Sequence, residues 1–185
     1  MVEVLPEGKR NSAEIQHFVV TEDQAKLGDL RAMINHRPSE RVDAGQYAKL
    51  LVDGEIVMSD TRNERETNRY ALRRLKGKVL IGGLGLGMLV KGLLAKEEPP
   101  KSILILEKNP DVINLVGPYI EDSRVTIQQA DVLTWRRAKG ETYDSIWMDI
   151  WNYPLRSSDP EVVKLKRKYS RMLSDAPKAW YGYWG

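Results

Sequence analysis

The chain has 185 residues, 42% hydrophobic and 30% charged, with a formal net charge of +3. That length and mixture suit one globular domain with a full core and a small extension. The absence of cysteine excludes disulfides, thiolate nucleophiles and zinc–thiolate sites.

His17 and His36 are the two imidazoles. A metal site would therefore rest mainly on carboxylates, and no stretch has metal-ligand spacing. The start, MVEVLPEGKRN, carries an early acid and no apolar h-region, unlike a secretory signal. No run reaches the ~18 apolar residues of a membrane span. A soluble, cytoplasmic protein is expected.

AEIQHFVV, residues 13–20, reads as a short strand. Residues 22–36 have helical spacing at Leu27, Leu30 and Ile34, weakened by Gly28. In QYAKLLVDGEIVMSD two apolar runs flank Asp53-Gly54, a dipeptide suited to a type I′ hairpin turn. Residues 62–76 carry Tyr70, Leu72 and Leu75 and are expected to form a helix stopped by Gly77.

From residue 78 the pattern alternates. KVLIG is a strand, and a helix opens over Gly87 to Ala95. After Pro99-Pro100 come the strand SILILE and the helix NPDVINLVGPYI, with Pro110 near its first turn, where a missing N–H costs nothing. RVTIQQ and YDSIWMDI are further strands, DPEVVKLKRKYSRML is a helix, and AWYGYWG is an aromatic tail with room for one edge strand. Buried strands between helices predict an α/β domain with a parallel sheet. Residues 1–60 are expected to extend that domain rather than fold alone, with 61–185 as its main body.

VLIGGLGLGM joins a strand to a helix through glycines, which let a backbone approach a ligand beside free helix N–H groups. Gly83, Gly85 and Gly87 give G-x-G-x-G; a dinucleotide fingerprint would need its third glycine at Met88, and a P-loop would need Gly-Lys-Ser/Thr. Glu107 ends the second strand, 20 residues beyond Gly87, where a carboxylate can accept ribose hydroxyls. Asp131 follows the third strand, where an acid can take an adenine amino group while Val132 covers the ring. Asp149 ends the fourth. Each has a plainer reading: close packing for the glycines, a turn for Asp131, solvation for Glu107, a helix cap or arginine partner for Asp149.

The order VLIGGLGLG, ILILEKNPDVI, VTIQQADVL, YDSIWMDIW resembles the first four motifs of class I S-adenosylmethionine-dependent methyltransferases. It is most similar to the spermidine synthase-like branch, which also places an Asp-Gly hairpin and a polar segment ahead of the cofactor half, here LLVDGEIVMSDTRNE. The resemblance covers roughly residues 45–152. It implies a three-layer, Rossmann-like fold with an N-terminal β-hairpin extension, shortened in its C-terminal half, where 36 residues follow Asp149. It implies S-adenosylmethionine as cofactor, with Gly83, Gly85 and Gly87 under its methionine part, Glu107 on the ribose hydroxyls, and Asp131 with Val132 at adenine.

The polyamine-binding acids of that branch are depleted. Gly85 stands in place of one, Asn152 in place of the second Asp of Asp-x-x-Asp, and the Tyr-His pair is not evident in ERETNRY. Methyl transfer to an unknown acceptor is therefore expected, with Asp149 or Asp60 as base and Trp151 and Asn152 as the acceptor wall. The alternatives are aminopropyl transfer and a non-catalytic cofactor- or nucleic-acid-binding module; nicotinamide binding ranks last. The acceptor would be recognised by the N-terminal hairpin, or a second subunit would complete the cleft. From Arg156 to Lys178 seven Lys/Arg face three Asp/Glu, so this helix is either a polyanion contact or a solvated face. The terminal aromatics either form a lid or pin the terminus to the core.

Overall fold

The computed structural model describes residues 1–35, 41–153 and 155–184; His36 lies outside them. Strands β1 (Gly8–Arg10), β2 (Ala13–Val20), β3 (Gly45–Val52) and β4 (Glu55–Ser59) form an antiparallel sheet in that order. Asp53 and Gly54 at the hairpin tip have φ of 53° and 85°. Two positive φ angles make the turn whose twist matches its flanking strands. Val52 pairs with Glu55, and a bulge lies between Leu50 and Leu51.

Helix α1 (Glu22–Ile34) begins at a capping box formed by Thr21 and Gln24. Its apolar spacing does not serve the core as expected. Leu27, Leu30 and Ile34 are 57%, 55% and 68% exposed, while Ala32 is buried. Helix α2 (Arg62–Arg74) stops when Leu75 turns extended, before Gly77. Gly77 instead leaves room for Asp144, whose carboxylate accepts the Lys78 N–H at 2.8 Å.

The second sheet contains five parallel strands: β5 (Lys78–Gly82), β6 (Ser102–Glu107), β7 (Val125–Gln129), β8 (Ser145–Met148) and β9 (Trp180–Tyr183). Their order is β7-β6-β5-β8-β9. The chain steps outward from β5 to β7, then crosses back to β8. That reversal opens a crevice at the carboxyl ends of β5 and β8, the place where open α/β sheets bind ligands.

Side-chain alternation sorts the layers. Val79, Ile81, Ile103, Ile105 and Trp147 face one side, packing with residues of α2, of α3 (Met88–Leu94) and of α4 (Pro110–Val116). Leu80, Ile146 and Met148 face the other, packing with Leu165 and Tyr169 of α5 (Pro160–Ser170). The fold is thus a three-layer, Rossmann-like α/β domain carrying an antiparallel N-terminal sheet. Leu5, Ile15, Ala48 and Leu50 from that N-terminal part join the first of these clusters. Full burial of each leucine or isoleucine contributes roughly 1.5–3 kcal/mol, and of the alanine methyl about 0.8 kcal/mol.

The aromatic tail is the edge strand β9. Trp180 stacks on Trp147, with ring centroids 5.8 Å apart and planes 17° apart, and Gly182 leaves the space their rings fill.

Candidate functional site

A cavity of about 770 Å³ opens at the crevice, within the ~300–1,000 Å³ typical of small-molecule sites. Gly83, Glu107, Asp131 and Asp149, from the ends of four different strands, all line it. Gly85, Val132, Trp151 and Asn152 line it too.

Gly83 has φ +95°, and a Cβ there would strike the Asp149 backbone carbonyl. Glycine therefore lets the ends of β5 and β8 close on each other. A Cβ on Gly85 would sit 2.5 Å from the Met58 sulfur, which also accepts the Leu86 N–H at 3.3 Å. Part of what lies against the glycine turn is thus the chain's own Met58. Gly87 sits apart from the cavity wall: it caps α3, and a Cβ there would crowd Ile120 and Val116.

Glu107 joins the turn to the next loop. Its Oε2 accepts the Leu84 N–H at 2.9 Å and its Oε1 the Asn109 N–H at 2.8 Å. Each oxygen keeps capacity for another hydrogen bond. Asp131 Oδ1 accepts the Leu133 N–H at 2.8 Å, and Lys108 reaches Oδ2 at 3.3 Å. The Leu133 bond is the main cause holding the Asp131 carboxyl below its ordinary pKa. Tyr169 donates to the Val132 carbonyl at 2.8 Å, and Lys168 donates to the Val132 and Leu133 carbonyls. One lysine of the basic helix is therefore a clamp on the loop behind Val132.

The N-terminal sheet closes the far side. Ser12, Val52, Asp53 and Met58 line the cavity. The β1–β2 turn is clipped to α4, where Asp111 accepts from Ser12 Oγ at 2.9 Å and Asn11 Nδ2 at 3.0 Å. Bonds from the Ser12 backbone and hydroxyl hold the Asp111 carboxyl below its ordinary pKa.

Asp149 is pushed up to about 6 by burial, partly offset by the Trp147 indole. Trp151 donates to Glu161 at 2.8 Å and meets Tyr183 edge-on at 6.0 Å. Asp60 is not brought to this cavity wall. It is fully buried, with Oδ1 taking the Ala48 N–H at 2.7 Å and Oδ2 facing the Met1 ammonium and Arg65. Its carboxylate is spent on holding β3, β4 and α2 together.

Glu64 was missed by sequence reasoning. It lies on α2 one turn before Asn68, in line with Ala71 and Leu75 at helical spacing. Its pKa is pushed up to about 7, first by burial and then by the Asp149 charge. The available signal was a polar pair, Glu64 and Asn68, at core-facing positions of an otherwise apolar helix stripe.

No family model and no curated protein matches the sequence. Solved structures resemble part of the chain. The methyltransferase partner of the Trm112 activator of Haloferax volcanii aligns at 15% identity and TM-score 0.45, over 58% of this chain and 46% of its own. An S-adenosylmethionine-dependent methyltransferase of Mesorhizobium loti aligns at 18% and 0.45, over 58% and 49%. N-methyltransferase NodS of Bradyrhizobium japonicum aligns at 17% and 0.49, over 65% and 66%. The chain spans less than half the length of the first two. Similarity at this level is likeness of part of the fold and says nothing of acceptor or partner.

Proposed function

We propose that the chain binds S-adenosylmethionine in the 770 Å³ cavity and is a methyltransferase. The observation that carries this reading is Glu107. Its carboxylate is fixed by the Leu84 and Asn109 N–H groups while each oxygen keeps room for one more donor. Two such acceptor positions suit the two hydroxyls of a ribose. The donor set fits the rest of the cofactor: Asp131 accepts an adenine amino N–H in place of Lys108, and Val132 backs the ring. Gly83 and Gly85 offer backbone without side chain to the amino-acid end.

When bound, S-adenosylmethionine supplies a methyl group on a positively charged sulfur. The chain's own task is positioning. Asp149, half-buried at the junction of β5 and β8, holds or accepts a proton at the acceptor's nitrogen or oxygen. Trp151 and Asn152 bound the acceptor side, and the hairpin residues Asp53 and Met58 form another part of the cavity wall. Residues 1–60 are, in this reading, a working part of the domain.

Aminopropyl transfer is the second reading, favoured by one observation. Glu64 beside Asp149 restores a pair of acids that the motif after β8 lacks. Mass analysis of the small-molecule products separates the two. S-adenosylhomocysteine is expected here, whereas methylthioadenosine from the decarboxylated cofactor would establish the second reading.

A further inference from the structure

Helix α5 carries a row of cations that the main cavity does not use. Pro160, Val163, Lys164, Arg167, Lys168 and Arg171 line a groove of about 480 Å³ along one side of it. The helical rise sets Lys164, Arg167 and Arg171 roughly 4.5 and 6 Å apart along the axis, about one cation per turn. The loop after β7 runs beside them. Lys168 donates to the Val132 and Leu133 carbonyls at 2.8 and 3.1 Å, and Arg137 donates to the Arg171 carbonyl at 3.2 Å. Arg136, exposed, lies on the stretch between those contacts.

Among the described residues no carboxylate lines this groove. Elsewhere cations are paired: Lys9 with Glu14, Arg62 with Glu66, Lys78 with Glu141 and Arg124 with Asp122. Lys164, Arg167, Arg171 and Arg136 have no salt-bridge partner among the described residues. Glu161, one turn before Lys164, accepts from the Trp151 indole instead. The helix dipole favours cations in a last turn. That accounts for Arg167 and Arg171, but for neither Lys164 nor Arg136. Burial first, and then the Arg136 charge, hold the Lys168 ammonium below its ordinary pKa, against the pull of Asp131. The whole chain carries only +3, so this excess is local. A row of like charges without counter-charges attracts an anion laid along it.

We propose that the α5 groove, flanked by Arg136, docks the phosphate backbone of a single-stranded nucleic acid. A single row of cations follows the phosphates of one strand. Trp135 is half-buried on the same loop, its ring parallel to Tyr169 at 6.4 Å, and gives an aromatic plane of the kind on which bases stack. A lipid surface fits less well. Val162, Leu165 and Tyr169, the apolar side of α5, are buried in the domain, which leaves Val163 alone to enter an acyl layer. Pro160 lines the groove and its neighbour Glu161 lines the main cavity, so a strand on α5 reaches the cavity mouth. The docking surface stands on its own charges and does not depend on the cofactor reading.

The test is fluorescence anisotropy of a labelled oligothymidylate of about twelve nucleotides with the full chain, from about 20 to 200 mM salt. Log affinity is expected to fall with log salt at a slope of about −3, since each phosphate neutralised on a single strand contributes about −0.7. The Lys164→Ala/Arg167→Ala/Arg171→Ala variant should lose at least about tenfold in affinity at the lowest salt, with a slope of about −1. The Arg69→Ala/Arg73→Ala/Lys76→Ala variant loses the same charge on the α2 side of the sheet and should keep the wild-type affinity and slope. All six side chains are exposed, so both variants are expected to keep the wild-type far-UV spectrum. No binding by wild type at the lowest salt, or equal losses in the two variants, overturns the surface. Tighter binding of a blunt duplex of the same length overturns the single strand as its occupant. Phosphatidylserine vesicles that bind wild type, while oligothymidylate does not, overturn the nucleic acid in favour of a membrane.

Discussion

The side chain that most changes the picture is Glu64. Its carboxyl titrates near 7 instead of 4.5, through burial and then Asp149, and Asp149 titrates near 6 instead of 3.8 through burial. Both folded values lie above the unfolded ones, so the native state binds extra protons between about pH 4 and 7. Stability is therefore lost as pH rises through that window. At pH 8 the Glu64→Gln variant should be more stable than wild type by on the order of 1–2 kcal/mol, a figure discounted for partial exposure. At pH 4 the difference should vanish. Urea denaturation at the two pH values reads this; a variant weaker than wild type at pH 8 would contradict it. Glu107, Asp131 and Asp149 were legible in the sequence because each follows an apolar strand at its carboxyl end. Glu64 was not, since a glutamate among RNERETNR looks solvated until the helix face is known. Asp60 shows the reverse. A polar segment beside a cofactor half suggested chemistry, but hydrogen bonds to the Ala48 backbone and proximity to Arg65 make it a fastener.

Among the elements, the strand–glycine–helix unit from β5 to α3 and the β3–β4 hairpin were both readable, because glycine positions and apolar runs are local signals. The short β1 was not, for GKR has no apolar alternation and becomes a strand only by pairing with Ala13–Ile15. Nor was the orientation of α1, whose leucines face outward; helical spacing gives a period, not the partner it faces. Two glycines now separate conformation from crowding. Gly54 has φ +85° and nothing within 4 Å of its would-be Cβ, whereas Gly83 has φ +95° and the Asp149 carbonyl against it. Gly54→Ala should cost about 1–2 kcal/mol from backbone strain alone. Gly83→Ala should cost several kcal/mol and enlarge the gap between β5 and β8. Equal losses in urea denaturation would mean that the close approach of Asp149 carries no energy. On α5, Tyr169→Phe removes one bond to the Val132 carbonyl and should cost about 1 kcal/mol, read by the same method.

Across the whole molecule, the N-terminal sheet and the parallel sheet share a core and a cavity. Removing residues 1–60 strips Leu5, Ile15, Ala48 and Leu50 from the first cluster, together worth roughly 5–10 kcal/mol of burial. That is comparable with the ~5–15 kcal/mol total stability of a domain. The 61–185 fragment is therefore expected to lack a cooperative thermal transition, while the full chain melts in one; a sharply melting fragment would show an independent unit. The parallel order was legible from alternating strands and helices, but the cavity's hairpin wall was not, since it depends on how Met58 and Ser12 meet loops far along the chain. In the proposed function, Glu107 anchors S-adenosylmethionine in that cavity. Calorimetric titration of the cofactor into the full chain and into Glu107→Ala tests it most directly. Saturable one-to-one binding to wild type is expected, with at least a tenfold loss in the variant and the fold retained. No binding to wild type, or equal binding to both proteins, would contradict it.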